Sequence, residues 1–176
     1  MDLTWRELDR TTLLSHFGRS TDRVEFELPD GHKRTFYLKR ERPAAVVLAL
    51  TPEREVVLTR QYRPGPAQIF LDLPGGFLKP DEDPAAAAAR ELLEETGYRG
   101  DLRLVSSFFH DAYSDALRYA CVATDCALVA EPHHDPAEFI EVTTLPLAEF
   151  HTRVLRSGRL SDPAAAYLAL DHLGLL

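Results

Sequence analysis

The chain has 176 residues, 45% of them hydrophobic and 27% charged, with a formal net charge of −8. That length and balance suit a compact globular protein with one sizeable core and do not leave room for several full-sized domains. The acidic surplus argues against a nucleic-acid partner, whose footprint is a basic patch, and no apolar run approaches the roughly 18 residues that a membrane span needs.

The N-terminus, MDLTWRELDR, alternates charged and apolar residues without the layout of a secretory signal, so a cytoplasmic location is expected. Leu3-Thr4-Trp5 reads as a single turn or short strand, and the polar segment after it gives no regular pattern. Trp5 either anchors this first element by its buried area or offers a flat ring to a ligand. Val24 to Leu28 alternates at period two, Pro29-Asp30-Gly31 signals a turn, and Thr35 to Leu38 returns, which predicts a hairpin. Ala44 to Leu50 is a continuous apolar run, and Glu55 to Tyr62 follows the turn Thr51 to Arg54, which predicts two central strands. A further short strand is expected over Ile69 to Leu73, ended by Pro74-Gly75-Gly76.

Asp83-Pro84 is a helix start and Gly97 a helix stop, so a helix is expected over 84–96. Strands are expected over Leu102 to Phe109, Leu117 to Ala123 and Phe139 to Thr143, an amphipathic helix over Leu147 to Arg156, and a last helix capped by Asp162-Pro163. Runs of strands with helices inserted late predict an α/β protein with a mixed or antiparallel sheet and helices on its faces. Residues 1–40 are expected to form N-terminal strands and a hairpin, and 41–176 the main domain. Cys121 and Cys126 lack both zinc and CxxC spacing and are expected to be reduced, buried small hydrophobes.

The chemistry concentrates in Gly75 to Tyr98, GGFLKPDEDPAAAAARELLEETGY. Glu91, Glu94 and Glu95 stand at i, i+3 and i+4, so their carboxylates share one helix face, with Ala85, Ala88, Ala89 and Leu92 opposite. Such a face can be merely solvated. Three features favour a site instead: a Gly-Gly loop whose carbonyls can approach an ion, Arg90 placed to pair with Glu94 at i+4, and Glu82 placed to bend in from the loop. All-oxygen donors specify a hard cation, Mg²⁺ or Mn²⁺, and such ions act on phosphate oxygens.

Gly76, Glu82 and Arg90-Glu91-Leu92-Leu93-Glu94-Glu95-Thr96-Gly97-Tyr98 match every defined position of G-x5-E-x7-R-E-U-x-E-E-x-G-U, where U is bulky and apolar. The stretch therefore resembles the Nudix hydrolase family. The resemblance implies an α/β/α sandwich with a mixed sheet and hydrolysis of a nucleoside diphosphate linked to another moiety. It also implies that Glu91, Glu94, Glu95 and the Gly75 carbonyl hold divalent metal, while Glu82 and Arg90 orient the site.

Gln61-Tyr62-Arg63, Leu73-Pro74-Gly75-Gly76 and a late acidic loop extend the likeness to the ADP-ribose and ADP-sugar pyrophosphatase branch. That branch implies a nucleotide-sugar substrate and a homodimer whose N-terminal hairpin packs on, or exchanges with, a second subunit. Trp5, Phe36 or Tyr37 would then stack on the base, Arg63 would contact a phosphate or serve the dimer, and Ser114 would line the substrate. The pattern departs at 108–116, where only Ser114-Asp115 of the usual loop ending is kept, and at Pro136, where a glutamate is usual. Glu138 or Asp135 is therefore the candidate general base, with the neighbouring His133 and His134 expected to be solvated. Two other readings share the motif: a pyrophosphatase for a GDP-sugar, dinucleoside polyphosphate or coenzyme A derivative, and a nucleotide sensor without turnover.

Overall fold

A computed structural model describes residues 2–134 and 138–176 and divides the chain into two compact units. One comprises 1–43 with 109–117, the other 44–108 with 118–176. Among the described residues no helix is long and apolar enough to cross a membrane.

The first unit is a three-stranded antiparallel sheet, β1 (Arg6–His16), β2 (Arg19–Glu27) and β3 (Lys33–Glu41), in that order. The predicted hairpin is β2–β3, turned by Gly31 at φ 82°. The segment without a readable pattern is an 11-residue strand, and Leu3-Thr4-Trp5 lies outside it. Two causes hid β1. Almost all of its residues are exposed, so no inward stripe repeats along it. Its hairpin turn is also Phe17-Gly18, with φ of 47° and 72°, which meets the two-positive-φ requirement of a tight hairpin without the usual Asn-Gly. The segment 109–117 lies along β3: Lys39 N donates to Tyr113 O at 2.9 Å and Asp115 N to Lys39 O at 3.2 Å.

The second unit is a mixed sheet with helices on both faces. The strands are β4 (Ala44–Leu50), β5 (Glu55–Arg63), β6 (Gln68–Asp72), β7 (Gly75–Phe77), β8 (Tyr98–Phe109), β9 (Leu117–Leu128) and β10 (Ile140–Pro146). Their main order is β10-β5-β4-β9-β8, with β6 beside β5 and β7 beside β4. Strands β4 and β9 run parallel, Ala44 lying opposite Arg118 and Ala49 opposite Ala123.

Every residue of β4 is buried, as the unbroken run AAVVLAL requires of a strand covered on both faces. Val46, Leu48 and Leu50 meet Phe150, Val154, Ala166 and Leu170. Ala45, Val47 and Ala49 meet Ala87, Ala88 and Leu92 on the opposite side. These layers are α3 (Pro163–His172) with the helical segment before it, and α1 (Pro84–Thr96). Cys121 and Cys126 are buried and unbridged on the α1 side, where burial pushes their thiols up to about 12 and about 11.

Four local expectations are corrected. Gly75-Gly76 is a strand, not a loop, because both pair with β4. The α1 stripe facing the sheet is Ala87, Ala88 and Leu92, whereas Ala89 is exposed and Ala85 only half-buried. The segment predicted as an amphipathic helix opens as α2 (Leu147–Glu149) and continues as a π-helical turn over Phe150–Leu155, which keeps Phe150, Val154 and Leu155 in the core. Asp162 precedes α3 without a side-chain cap, and lies 3.5 Å from Arg118 instead.

Candidate functional site

Helix α1 begins and ends by local chemistry. Asp83 Oδ1 accepts from Ala85 N at 2.9 Å and Ala86 N at 3.1 Å, Pro84 occupies the first turn, and Gly97 closes the helix at φ 75°. Its glutamates then fall at three depths. Glu95 continues the inward stripe of Ala88 and Leu92 and is 8% exposed; Glu91 is 15% and Glu94 46% exposed at the side chain.

Arg90 organises the carboxylates. Its Nε and Nη2 grip the two oxygens of Glu82, both at 2.9 Å, in a bidentate pair. Nη1 reaches Glu91 Oε1 at 2.7 Å and Glu94 Oε2 at 3.0 Å, and Nη2 also donates to Phe77 O at 3.2 Å. Arg90 does pair with Glu94, but as one of three carboxylate partners. Arg90, then the Lys79 amide, hold the Glu82 carboxyl down at about 2 against the cost of its burial. Arg90 is itself pushed above its ordinary value, chiefly by Glu82.

Glu95 is held quite differently. Among the described residues its side chain forms no ion pair, and its hydrogen bond comes from Gly75 N at 2.9 Å. Burial pushes its carboxyl up to about 8; the Gly75 amide opposes this, and the charges of Glu91 and Glu138 add to it. Burial likewise raises Glu91, with Arg90 opposing and Glu94 and Glu138 adding.

The paired glycines have a steric explanation. A Cβ on Gly75 would stand 2.3 Å from Ala45 O, and one on Gly76 would stand 2.5 Å from Glu91 Oε1. Neither glycine has positive φ, so space for β4 and for Glu91, not backbone freedom, demands them.

The loop after β9 closes the far end of α1. Val129 N and Ala130 N donate to Gly97 O, His133 N donates to Glu94 O at 2.8 Å, and the half-buried His134 gives Nε2–H to Glu95 O at 2.8 Å. The exposed His133 side chain fits the expectation of a solvated histidine; His134 does not, because the last helical carbonyls need donors. Glu138 is exposed and close enough for its charge to act on Glu91 and Glu95. Asp135 and Pro136 lie outside the described residues.

Arg63 ends β5, where its Nε donates to Asp72 Oδ2 at 2.6 Å, an internal pair that no sequence pattern announces. Trp5, Phe36 and Ser114 belong to the other unit. There Trp5 packs on Phe36 and Phe26 with ring centroids 5.1 and 5.9 Å apart, and Tyr113 stacks on Phe36 at 6.3 Å. With Leu38 and Ala112 these rings line a cavity of about 330 Å³. Tyr37 is exposed, and Ser114 Oγ accepts from Ala116 N at 3.0 Å.

Among the described residues no three Asp, Glu, His or Cys side chains already stand around one point as ligands of a single ion. The donor set nonetheless fits a hard cation: it is all oxygen, it carries more carboxylates than the two nearby guanidiniums neutralise, and Glu95 is buried with no bonded cation. Glu91, Glu94 and Glu95 are the residues that would hold it.

A family model described as the NUDIX domain matches residues 40–164. An ADP-ribose pyrophosphatase of Bacillus subtilis (strain 168) is 29% identical over 154 residues, covering 86% of this chain and 82% of that protein. An ADP-sugar pyrophosphatase of Mus musculus is 35% identical over 182 residues, covering 96% of this chain and 82% of that protein. A solved structure described as the crystal structure of an ADP compounds hydrolase matches with a TM-score of 0.79 over 100% of both chains. At 21% identity, that last likeness concerns the fold.

Proposed function

Because the chain belongs to the NUDIX domain family, we propose that it hydrolyses the pyrophosphate bond of a nucleotide sugar, ADP-ribose or another ADP-sugar. The products are a nucleoside monophosphate and a sugar phosphate. The names of the bacterial and mouse relatives support this substrate class. The observation that carries the reaction class is the Arg90 clamp on Glu82, Glu91 and Glu94 beside the buried Glu95.

Glu91, Glu94, Glu95 and the Gly75 carbonyl are the proposed holders of a divalent cation, Mg²⁺ or Mn²⁺. Such a cation, when bound, draws charge from phosphate oxygens and acidifies a coordinated water. The protein's own residues divide the remaining work. The Glu82–Arg90 pair fixes the direction of Glu91 and Glu94. Glu138 is the proposed general base: its exposed carboxylate takes a proton from the attacking water, whose oxygen bonds to phosphorus as the bridging P–O bond breaks. Arg63 presents terminal guanidinium nitrogens to a phosphate. In the N-terminal unit, Trp5 and Phe36 are proposed to stack on the base and the Ser114 hydroxyl to donate to the substrate. The assembly is proposed to be a homodimer working in the cytoplasm.

Incubating the purified protein with Mg²⁺ or Mn²⁺ and a panel of ADP-sugars, GDP-sugars, dinucleoside polyphosphates and coenzyme A, then measuring released phosphomonoesters, tests the reading. Preference for ADP-sugars is expected. Preference for another nucleotide overturns the substrate class, and tight binding without turnover overturns the enzyme. Light scattering at several concentrations tests the dimer.

A further inference from the structure

Asp72 ends β6 with a side chain only 2% exposed. It accepts from Arg63 Nε at 2.6 Å, Ser161 N at 2.7 Å and Ser161 Oγ at 3.0 Å. A buried carboxylate persists only when it is paired and hydrogen-bonded, and these donors meet that need. Most such groups only hold parts of a fold together. The position of Arg63 says more here.

Successive side chains alternate across a strand, so Val57, Thr59, Gln61 and Arg63 share one face of β5. Val57 packs against Ala87, Ala88 and Leu92 of α1, so Arg63 leaves the sheet on the side that carries the glutamates. Thr59 Oγ1 donates to Asp72 O at 3.3 Å, and Gln61 Nε2 donates to Thr59 Oγ1 at 3.3 Å, a polar row leading toward Arg63. Among the described residues Arg63 is bonded through Nε alone; its side chain is 34% exposed, and its charge acts on Glu95. Asp72 is also three residues ahead of Gly75, whose amide holds Glu95.

We propose that Asp72 is a positioning residue for the hydrolysis: by gripping Arg63 Nε it fixes the plane of the guanidinium, so that the terminal nitrogens face a substrate phosphate. This rests on the pyrophosphatase reading above. A guanidinium that swings freely must be ordered each time substrate binds, whereas a locked one is already oriented.

The test combines a spectroscopic and a kinetic arm on the full chain. In ¹H–¹⁵N spectra at neutral pH, the Arg63 Nε–H signal, assigned by its absence in Arg63→Ala, is expected to be protected from solvent exchange and to lose that protection in Asp72→Asn. With the nucleotide sugar found best in the panel, Asp72→Asn is expected to lower kcat/KM about 10- to 100-fold, mainly through KM, as loss of a charge-assisted bond would. In an Arg63→Ala background the same substitution should have no further effect. Asp72→Asn keeps the side chain's shape; circular dichroism checks its fold, and Arg63→Lys, which lacks Nε–H, gives a second route to the same broken bond. An unprotected Nε–H, unchanged kinetics in Asp72→Asn, or an equal loss with and without Arg63 overturns the proposal. If the unsubstituted protein cleaves no nucleotide, the pyrophosphatase reading fails and the positioning role fails with it. Independent losses in an active protein refute the positioning alone.

Discussion

Gly75 and Gly76 are neighbours on one strand, yet alanine at the two positions should have different consequences. At Gly76 a Cβ would lie 2.5 Å from Glu91 Oε1 and 2.6 Å from its carboxyl carbon. The obstacle is the tip of a flexible side chain, which must retreat by about 1 Å to reach ordinary van der Waals separation. Because Gly76 is outside the positive-φ region, alanine adds no backbone strain there, and reduced freedom of the unfolded chain contributes about 0.5 kcal/mol. Weakening the Arg90–Glu91 bond, 2.7 Å long, costs about 1–2 kcal/mol. The net loss of stability should be about 1 kcal/mol. Moving a carboxylate that acts at the reacting centre by about 1 Å, in contrast, costs on the order of 100-fold in turnover. At Gly75 the obstacles are Ala45 O at 2.3 Å and Val46 Cα at 2.9 Å, both backbone, so the β4–β7 pairing must open. Strain of about 2–3 kcal/mol is expected there. Urea unfolding, titration calorimetry with Mg²⁺ or Mn²⁺, and the phosphomonoester assay read the three quantities separately. The reasoning is refuted if Gly76→Ala keeps its cation affinity and turnover, or unfolds as readily as Gly75→Ala.

Glu94→Gln or Glu95→Gln should lower turnover by orders of magnitude with the fold intact, and near-normal activity sinks the assignment of cation ligands. Glu95, pushed up to about 8, is mainly protonated at neutral pH, so cation binding should release close to one proton. Affinity should therefore climb as pH rises toward about 8 and level off above; calorimetry in buffers of different ionisation enthalpy at neutral pH checks it, and zero proton release contradicts it. Glu82, held at about 2 against an ordinary 4.5, adds stability that is fully present above its unfolded value and is lost as pH falls through its folded one. Glu82→Gln should accordingly cost about 2 kcal/mol near neutral pH, after allowing for solvent screening, and very little near pH 2; urea unfolding with an equal gap at both pH values would be the contrary result.

What the sequence made legible was whatever local chemistry decides. The bounds of α1 follow from Asp83, Pro84 and Gly97, and β4 from an unbroken apolar run, so both could be read without knowing their neighbours. The Glu82 clamp was readable in part, because Arg90–Glu94 is an i,i+4 pair while Arg90–Glu82 depends on a loop folding back. The steric reason for Gly75 and Gly76 is not legible in the sequence because it lies in Ala45 and Glu91, which approach from other elements. His134 and Asp72 were invisible as participants, since each depends on a partner at least nine positions away: Glu95 for His134, Arg63 and Ser161 for Asp72. Strand β1 shows the same limit for the fold, because an exposed strand has no inward stripe to announce it.

The charge balance separates the roles of the glutamates more sharply than their spacing does. Arg90 gives its bidentate grip to Glu82, so most of its charge is spent there, and the Glu82 carboxyl is held down at about 2. Arg63 is engaged by Asp72. Glu91, Glu94 and Glu95 are thus left with less positive charge than they carry negative, in a partly buried place where like charges are poorly screened. Protonation of Glu95, the deepest of them, whose carboxyl is pushed up to about 8, relieves this. A divalent cation would do the same with two charges and would displace that proton. We therefore propose different tasks for Glu82 and Glu95, both defined by the same motif: one to fix direction through Arg90, and the other to keep a place for positive charge. Substitution of Glu82 should be felt first in stability and orientation, and substitution of Glu95 first in cation affinity.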